Sequence, residues 1–372
     1  MIDNVVLYIW EYDDTNTRFN RVGIIEIFES LIWINKYNDT GNFELYIPAN
    51  AEILALLTSG EIHYITRADK PENAMKVEKV ELTTSDENGD HITITGRSAE
   101  CILAQRVFLS SVLYQQTTIQ NAVLMAVYDN FIYTKSESYE FRIIPIMTYD
   151  PNLDTEEYIQ PVAYANNQYN TESILDAVID MCQYAGYGFK LTFSPTALTF
   201  YIYVGVNRTI NQTANKRVVF SPDYNNLANT TYTYDITSYF NLCQALGDGT
   251  GATQYKTWTK PTGLGGMTLI EKSVASGISK SIEGGEMSDA QYMILLQRFA
   301  TKERTKADIT RTFDADILNF NAYTYGVDYN LGDIVTAINE YGISGSARVT
   351  EISEVFDESG YKIYPTLSEW SV

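Results

Sequence analysis

The feature that most constrains this chain is a rhythm of short apolar runs, many of them alternating, broken at close intervals by turn-forming residues. In the stretch NFELYIP (42–48), Phe43, Leu45 and Ile47 alternate with Glu44 and Tyr46. Period-two alternation puts the apolar set on one face of an extended strand. The segment from Val22 to Trp33 is nearly all β-formers, and Asn38, Asp39, Thr40 and Gly41 supply a turn between the two. Residues 61–66, 77–84 and 91–96 continue the pattern, and Asn88-Gly89 predicts a hairpin turn joining the last two. Strands spaced this closely predict a compact β-sandwich or barrel. A helical turn at Ala51–Leu57 and a short helix over 97–108 complete a first unit, residues 1–108.

The two better helical patterns lie in the middle of the chain. Thr117 or Thr118 is placed to cap a helix carrying Ile119, Val123, Leu124 and Val127 on one face. Asn170 is placed to cap another, with Ile174, Leu175, Val178, Ile179 and Cys182 inward and Gly186 at its end. Residues 189–193 and 197–205 flank a Ser-Pro turn and predict a hairpin beneath that second helix. Residues 109–235 thus form a helix-containing region that also contributes to a second β-domain. Residues 236–306 hold a Gly-rich, mobile excursion (247–285) and a helix capped by Ser288 with Ala290, Met293, Leu296 and Ala300 inward. The closing strands occupy 307–372. The expected class is α+β, dominated by β-structure.

In that last region, Gly332-Asp333 reads as a turn, because Gly tolerates positive φ and Asp bonds nearby backbone. Val349 and Ile352 fall on opposite phases of the alternation, which predicts a bulge, or burial on both faces, between Thr350 and Glu351.

Composition excludes several classes of function. The formal net charge is −21, from 47 acidic and 26 basic residues, so phosphate backbones are repelled and sequence-specific nucleic-acid binding is not expected. Cys101, Cys182 and Cys243 are isolated and odd in number, and they read as buried thiols of a protein made in a reducing cytoplasm. The N-terminus lacks the basic start and apolar core of a signal peptide, and no run approaches the ~20 apolar residues of a membrane helix, so no membrane anchor is expected.

No constellation points to catalysis. His63 and His91 both lie in predicted strands, where a structural or surface role outweighs a catalytic one. The G-x-S-x-G nucleophile elbow is absent, and the Gly-rich run GDGTGATQYK lacks the phosphate-loop pattern. DPNLDTEE (150–157) spaces Asp150, Asn152 and Asp154 like a calcium loop. Thr155 and Pro161 stand where that loop needs Gly and Glu. The basic cluster ERTKADITR (303–311) reads as a solvated helix end. No residue is therefore assigned as catalytic, cofactor-binding or metal-ligating, no cofactor is expected, and the expected protein is not an enzyme.

Four stretches in order, SLIWINKYNDTGNFELYIP (30–48), GRSAECILAQRVF (96–108), SYFNLCQALGDGTG (238–251) and LGDIVTAINEYGISGSARVTEISE (331–354), resemble the tail-hub, or tail-associated, proteins of tailed phages. The resemblance spans essentially the whole chain. It implies two tube-like β-domains, barrel or sandwich, with smaller helix-containing domains outside them. It implies a homotrimer at the virion tail tip, assembled in the bacterial cytoplasm, that mates with the tail-tube ring or distal tail protein, meets the tape-measure protein, and connects to a spike, fibre or receptor-binding protein while letting DNA pass. Many members continue into a cell-wall hydrolase or receptor-binding module; this chain ends at Val372, so such activity is expected on another chain. A wall hydrolase and a carbohydrate-binding adsorption module are the competing functions.

Overall fold

The computed structural model describes residues 5–87, 89–134, 137–150, 152, 162–282, 285–307, 309–317 and 323–371. Its first β unit contains β1 (Leu7–Asp13), β2 (Arg18–Ile25), β3 (Ser30–Lys36), β4 (Asn42–Pro48), the short helix α1 (Ala51–Leu57), β5 (His63–Arg67), β6 (Lys70–Thr83) and β7 (His91–Ser98). The run 22–33 is two strands rather than one, broken at residues 26–29. Leu31 and Trp33 on β3, Phe43, Leu45 and Ile47 on β4, and Ile92 and Ile94 on β7 enter one core, as their alternation requires. The hairpin between β6 and β7 forms in antiparallel register, with Gly89 at positive φ; its partner in the predicted turn, Asn88, lies outside the described residues.

A helical unit follows. After a 3-10 helix (Ala99–Gln105) come β8 (Val112–Thr118), α2 (Ile119–Val127), β9 (Met147–Tyr149), β10 (Tyr164–Tyr169), α3 (Ile174–Ala185), β11 (Gly188–Ser194) and β12 (Ala197–Tyr203). Thr118 caps α2 through its hydroxyl, which accepts from the Asn121 amide. Ser173, not Asn170, caps α3. Asn170 instead follows the end of β10, where its amide donates to the Glu172 carboxylate. Gly186 ends α3 in the left-handed conformation that a Cβ disfavours. The β11–β12 hairpin packs beneath α2 and α3, and Trp10, Phe19, Tyr64 and Phe193 form an aromatic seam to the first unit.

Beyond β13 (Val219–Phe220) and β14 (Leu227–Asp235), the Gly-rich segment is more than an excursion. It supplies two strands of a three-stranded sheet, β16 (Lys256–Thr259) and β17 (Glu271–Ala275), flanking β15 (Leu242–Leu246). The two-residue strands β18 (Ser281–Ile282) and β19 (Gly285–Glu286) then lead to α4 (Asp289–Lys306), capped by a Ser288–Gln291 box. The inward stripe of α4 is Tyr292, Leu295, Leu296 and Ala300, rotated from the predicted one: Ala290 is exposed because Tyr292 reaches into the core and hydrogen-bonds the Asp248 amide and the Ile278 carbonyl. Gly247 permits this, since a Cβ there would sit 2.6 Å from the Tyr292 hydroxyl.

The chain closes with β20 (Thr310–Ile317), β21 (Ile334–Ile338), β22 (Ser344–Asp357) and β23 (Gly360–Ser371). One eleven-stranded sheet runs β13-β21-β22-β3-β4-β7-β6-β5-β1-β2, with β23 also paired to β22. Strand β22 joins its two halves. Residues 344–348 pair with β21 and residues 351–356 with β3 along one edge, while β23 follows the other. The register shifts between Val349 and Glu351, which is the bulge that the opposed phases of Val349 and Ile352 predict. The extra residue lets both side chains reach the same core, and both are fully buried. Among the described residues the sheet is open and closes into no barrel. The β-rich α+β class is as expected.

Candidate assembly site

Two buried polar junctions hold the halves of this sheet together. At the first, β22 presents Glu354 inward, in phase with Ile352 and Phe356, and its carboxylate is completely buried. Arg67 at the end of β5 and Lys70 at the start of β6 both pair with it, and the Tyr361 hydroxyl of β23 donates to it at 2.8 Å. The Arg67 guanidinium lies 4.7 Å from the Phe356 ring and 5.9 Å from that of Trp33, and its Nε donates to Asp69 at 3.0 Å. Burial disfavours the charged guanidinium, but the hydrogen bond to Asp69 and the charges of Glu354 and Asp69 outweigh it and raise its pKa. A carboxylate on the apolar phase of a strand is legible in a sequence; its cation, 287 residues away, is not.

The second junction centres on Tyr37, just past β3 and fully buried. Its hydroxyl donates to the Gly186 carbonyl at 3.0 Å and accepts from the Gly205 amide at 3.3 Å. Its ring fills the space where a Cβ on Gly188 or on Gly332 would stand, 2.3 Å away in each case. Arg348 of β22 lies 5.0 Å over the same ring and donates to the Gly332 carbonyl at 2.9 Å. Gly332 has φ 91°, so both the turn and the ring contact call for glycine. Asp333, nearly fully buried, does more than brace its own turn. Its carboxylate accepts from the Asn330 amide at 2.9 Å, the Val206 amide at 2.7 Å and Arg208 Nε at 2.6 Å, fastening the chain after β12 to β21. The first β unit, the helical unit and the closing strands all meet at Tyr37.

Between the helical unit and the small unit formed by β15–β19 and α4 lies a cleft of about 870 Å³, walled by α3 and α4 and floored by β10. Asp180 of α3 accepts from Lys302 Nζ at 2.6 and 2.7 Å, from the Tyr169 hydroxyl at 2.9 Å and from the Asn167 amide at 2.9 Å. Burial pushes its carboxyl up, and the Lys302 ammonium with these hydrogen bonds more than offsets that, holding it below the usual carboxylate range. Burial and the adjacent Asp180 charge drive the Tyr169 phenol upward, so it stays protonated and donates.

The residues singled out from the sequence are scattered. His63 is buried on β5 with Nε2 3.4 Å from a Glu11 carboxylate oxygen, while His91 stacks on Tyr46 and bonds Glu29 at 2.9 Å. All three cysteines are free and buried; burial raises each thiol, that of Cys101 to about 11, which leaves it a poor nucleophile. Of the calcium-like stretch, Asp150 and Asn152 are described and bond to each other, and Asp154 lies outside the described residues. Lys306, in the basic cluster at the end of α4, reaches back 3.6 Å to Asp180. Among the described residues no group of three or more histidine, cysteine or carboxylate side chains is arranged to hold a metal ion.

Solved structures of phage tail proteins share this fold over its whole length. A tail protein from Neisseria meningitidis MC58 superposes with a TM-score of 0.55 at 13% identity, covering 98% of this chain and 97% of that one. A 43 kDa tail protein of prophage MuSo2 from Shewanella oneidensis gives 0.56 at 11%, covering 98% of each. Prophage tail protein gp18 from Listeria monocytogenes EGD-e gives 0.51 at 9%, covering 99% of this chain and 94% of that one. No curated protein matches at a significant level. A family model does, across residues 6–367, and the resemblance to tailed-phage proteins is borne out. The chain belongs to the siphovirus ReqiPepy6 Gp37-like protein family and has the fold of phage and prophage tail proteins.

Proposed function

We propose that this chain is a non-enzymatic structural protein of the virion tail tip, a hub that assembles as a homotrimeric ring at the end of the tail tube. The observation that carries this reading is the span of the tail-protein fold, 98% of the chain in the Neisseria and Shewanella comparisons, together with a sheet that continues through both β cores. In the proposed ring each chain contributes two tube-like β regions, one built on β1–β7 and one on the closing strands, and the helical and small units lie outside. Two such regions from each of three chains present six similar surfaces to a tail-tube or distal-tail ring. The opposite side receives the spike, fibre or receptor-binding protein, and the tape-measure protein ends at the lumen. Assembly takes place in the host cytoplasm. The net charge of −21 suits a passage in which DNA must not be neutralised and held.

Rigidity supports the same role. Glu354 with Arg67, and Tyr37 with Gly188 and Gly332, cross-brace the strands that such a ring would load. The test is the mass and shape of the purified full chain, alone and with its neighbouring distal tail protein. A ring-shaped trimer in one of the two conditions is expected. A monomer in both, or turnover of purified peptidoglycan that disappears on replacing one carboxylate, overturns the proposal.

A further inference from the structure

The α3–α4 cleft has the makings of a ligand site that the tail-tip role does not use. At about 870 Å³ it is within the usual range of small-molecule sites, and it opens between two units with separate hydrophobic cores. Two tyrosine rings border it, Tyr164 on β10 and Tyr184 on α3, and they are 63% and 54% exposed. The Tyr164 ring is open to stacking, and the Tyr184 ring, over which Lys302 Nζ stands 6.0 Å from the centroid, keeps its other face for a partner with one apolar face.

The polar groups narrow the partner further. The Asp180 carboxylate is saturated by Lys302, Lys306, Tyr169 and Asn167, so it fixes the walls and is not available to a ligand. Asp176, Arg298 and Thr305 also line the cleft and are exposed, offering acceptors and donors of both kinds. The lining carries Glu172, Asp176, Asp180 and Glu303 against Arg298, Lys302 and Lys306, a near balance in a molecule of net charge −21. An anion gains nothing from such walls and is repelled by the rest of the protein. A hydrocarbon would leave the polar rim unpaired. A sugar satisfies both demands, because its ring has an apolar C–H face to lie on tyrosine and a rim of hydroxyls that donate and accept.

We propose that the α3–α4 cleft binds a neutral oligosaccharide, stacked on Tyr164 and Tyr184 and hydrogen-bonded at its rim by Asp176, Arg298 and Thr305. Oligomeric state is read separately from mass, so this proposal stands or falls independently of the ring. The experiment uses the full chain with chitohexaose, cellohexaose and maltohexaose, followed by saturation-transfer NMR and calorimetry. At least one of the three is expected to bind with saturable affinity, and Tyr164→Ala and Tyr184→Ala each to weaken it roughly two- to tenfold, as the loss of one ring contact predicts. Both rings are exposed, so these variants should keep the wild-type melting temperature; Tyr184→Phe, which retains the ring, should bind like wild type. Three results overturn the proposal: no saturable binding to any of the three sugars at millimolar concentration, undiminished binding by the double alanine variant, or binding of heparin in place of the neutral sugars.

Discussion

Glu354 is where the demands on a single side chain are sharpest. It occupies an inward position of a strand whose neighbouring inward residues are Ile352 and Phe356, and it is held there only because Arg67, Lys70 and Tyr361 converge on it. Removing one member of a buried ion pair strands the other, at a cost of about 3–5 kcal/mol. Glu354→Ala should therefore lower stability by that order in chemical denaturation, and far more than Glu351→Ala three residues earlier, whose carboxylate is part-exposed and meets Lys36 at 3.8 Å. Equal losses from the two variants would show that the junction is not the brace described. At Asp333, Asp333→Asn keeps the shape but swaps one carboxylate oxygen for a donor facing Arg208 or a backbone amide. The expected loss is roughly 1–3 kcal/mol, read from the same denaturation curves.

At the scale of elements, the bulge in β22 shows what a sequence can disclose. Val349 and Ile352 are both apolar and out of phase, and one extra residue between them resolves the conflict, so the irregularity is legible in the alternation itself. Inserting one residue after Thr350 should force a one-residue slip that drives either the Ala347–Val349 set or the Ile352–Phe356 set out of its core. Loss of near-UV dichroism and of soluble yield is expected, and an insertion variant with native spectra would contradict the register. The cap of α3 is less legible, because Asn170, Thr171 and Ser173 all have capping side chains and only the course of β10 decides among them. The cleft leaves no mark in the sequence. Its walls come from helices more than a hundred residues apart, and neither Asp180 nor Lys302 is unusual on a helix surface. That pair makes a prediction of its own. The Asp180 carboxyl titrates lower in the folded protein than in the unfolded chain, so its stabilisation is complete above the unfolded pKa of about 4 and is lost as pH falls through the folded value. The difference in melting temperature between wild type and Asp180→Asn should be constant from pH 7 to 5 and shrink below pH 4.

For the whole molecule, the strands of residues 1–108 and of 307–372 look in sequence like two separate sheets, and the fold joins them through β22 and β3. Pairing at a separation of some three hundred residues leaves no local trace, which is why alternation discloses the strands and not their neighbours. Charge acts at the same scale. With a net charge of −21 per chain, subunits of the proposed ring repel one another before any interface forms. Screening removes that repulsion: the Debye length is about 30 Å at 0.01 M salt and about 8 Å at 0.15 M. Short-range contacts at sheet edges, being apolar or backbone hydrogen bonds, are far less sensitive to salt. The trimer should therefore strengthen as sodium chloride rises from about 10 to about 300 mM, with sedimentation velocity moving from monomer toward the ring. Dissociation on adding salt would mean instead that complementary charges hold the ring together, and that the carboxylates are turned toward the subunit interfaces and not toward the passage.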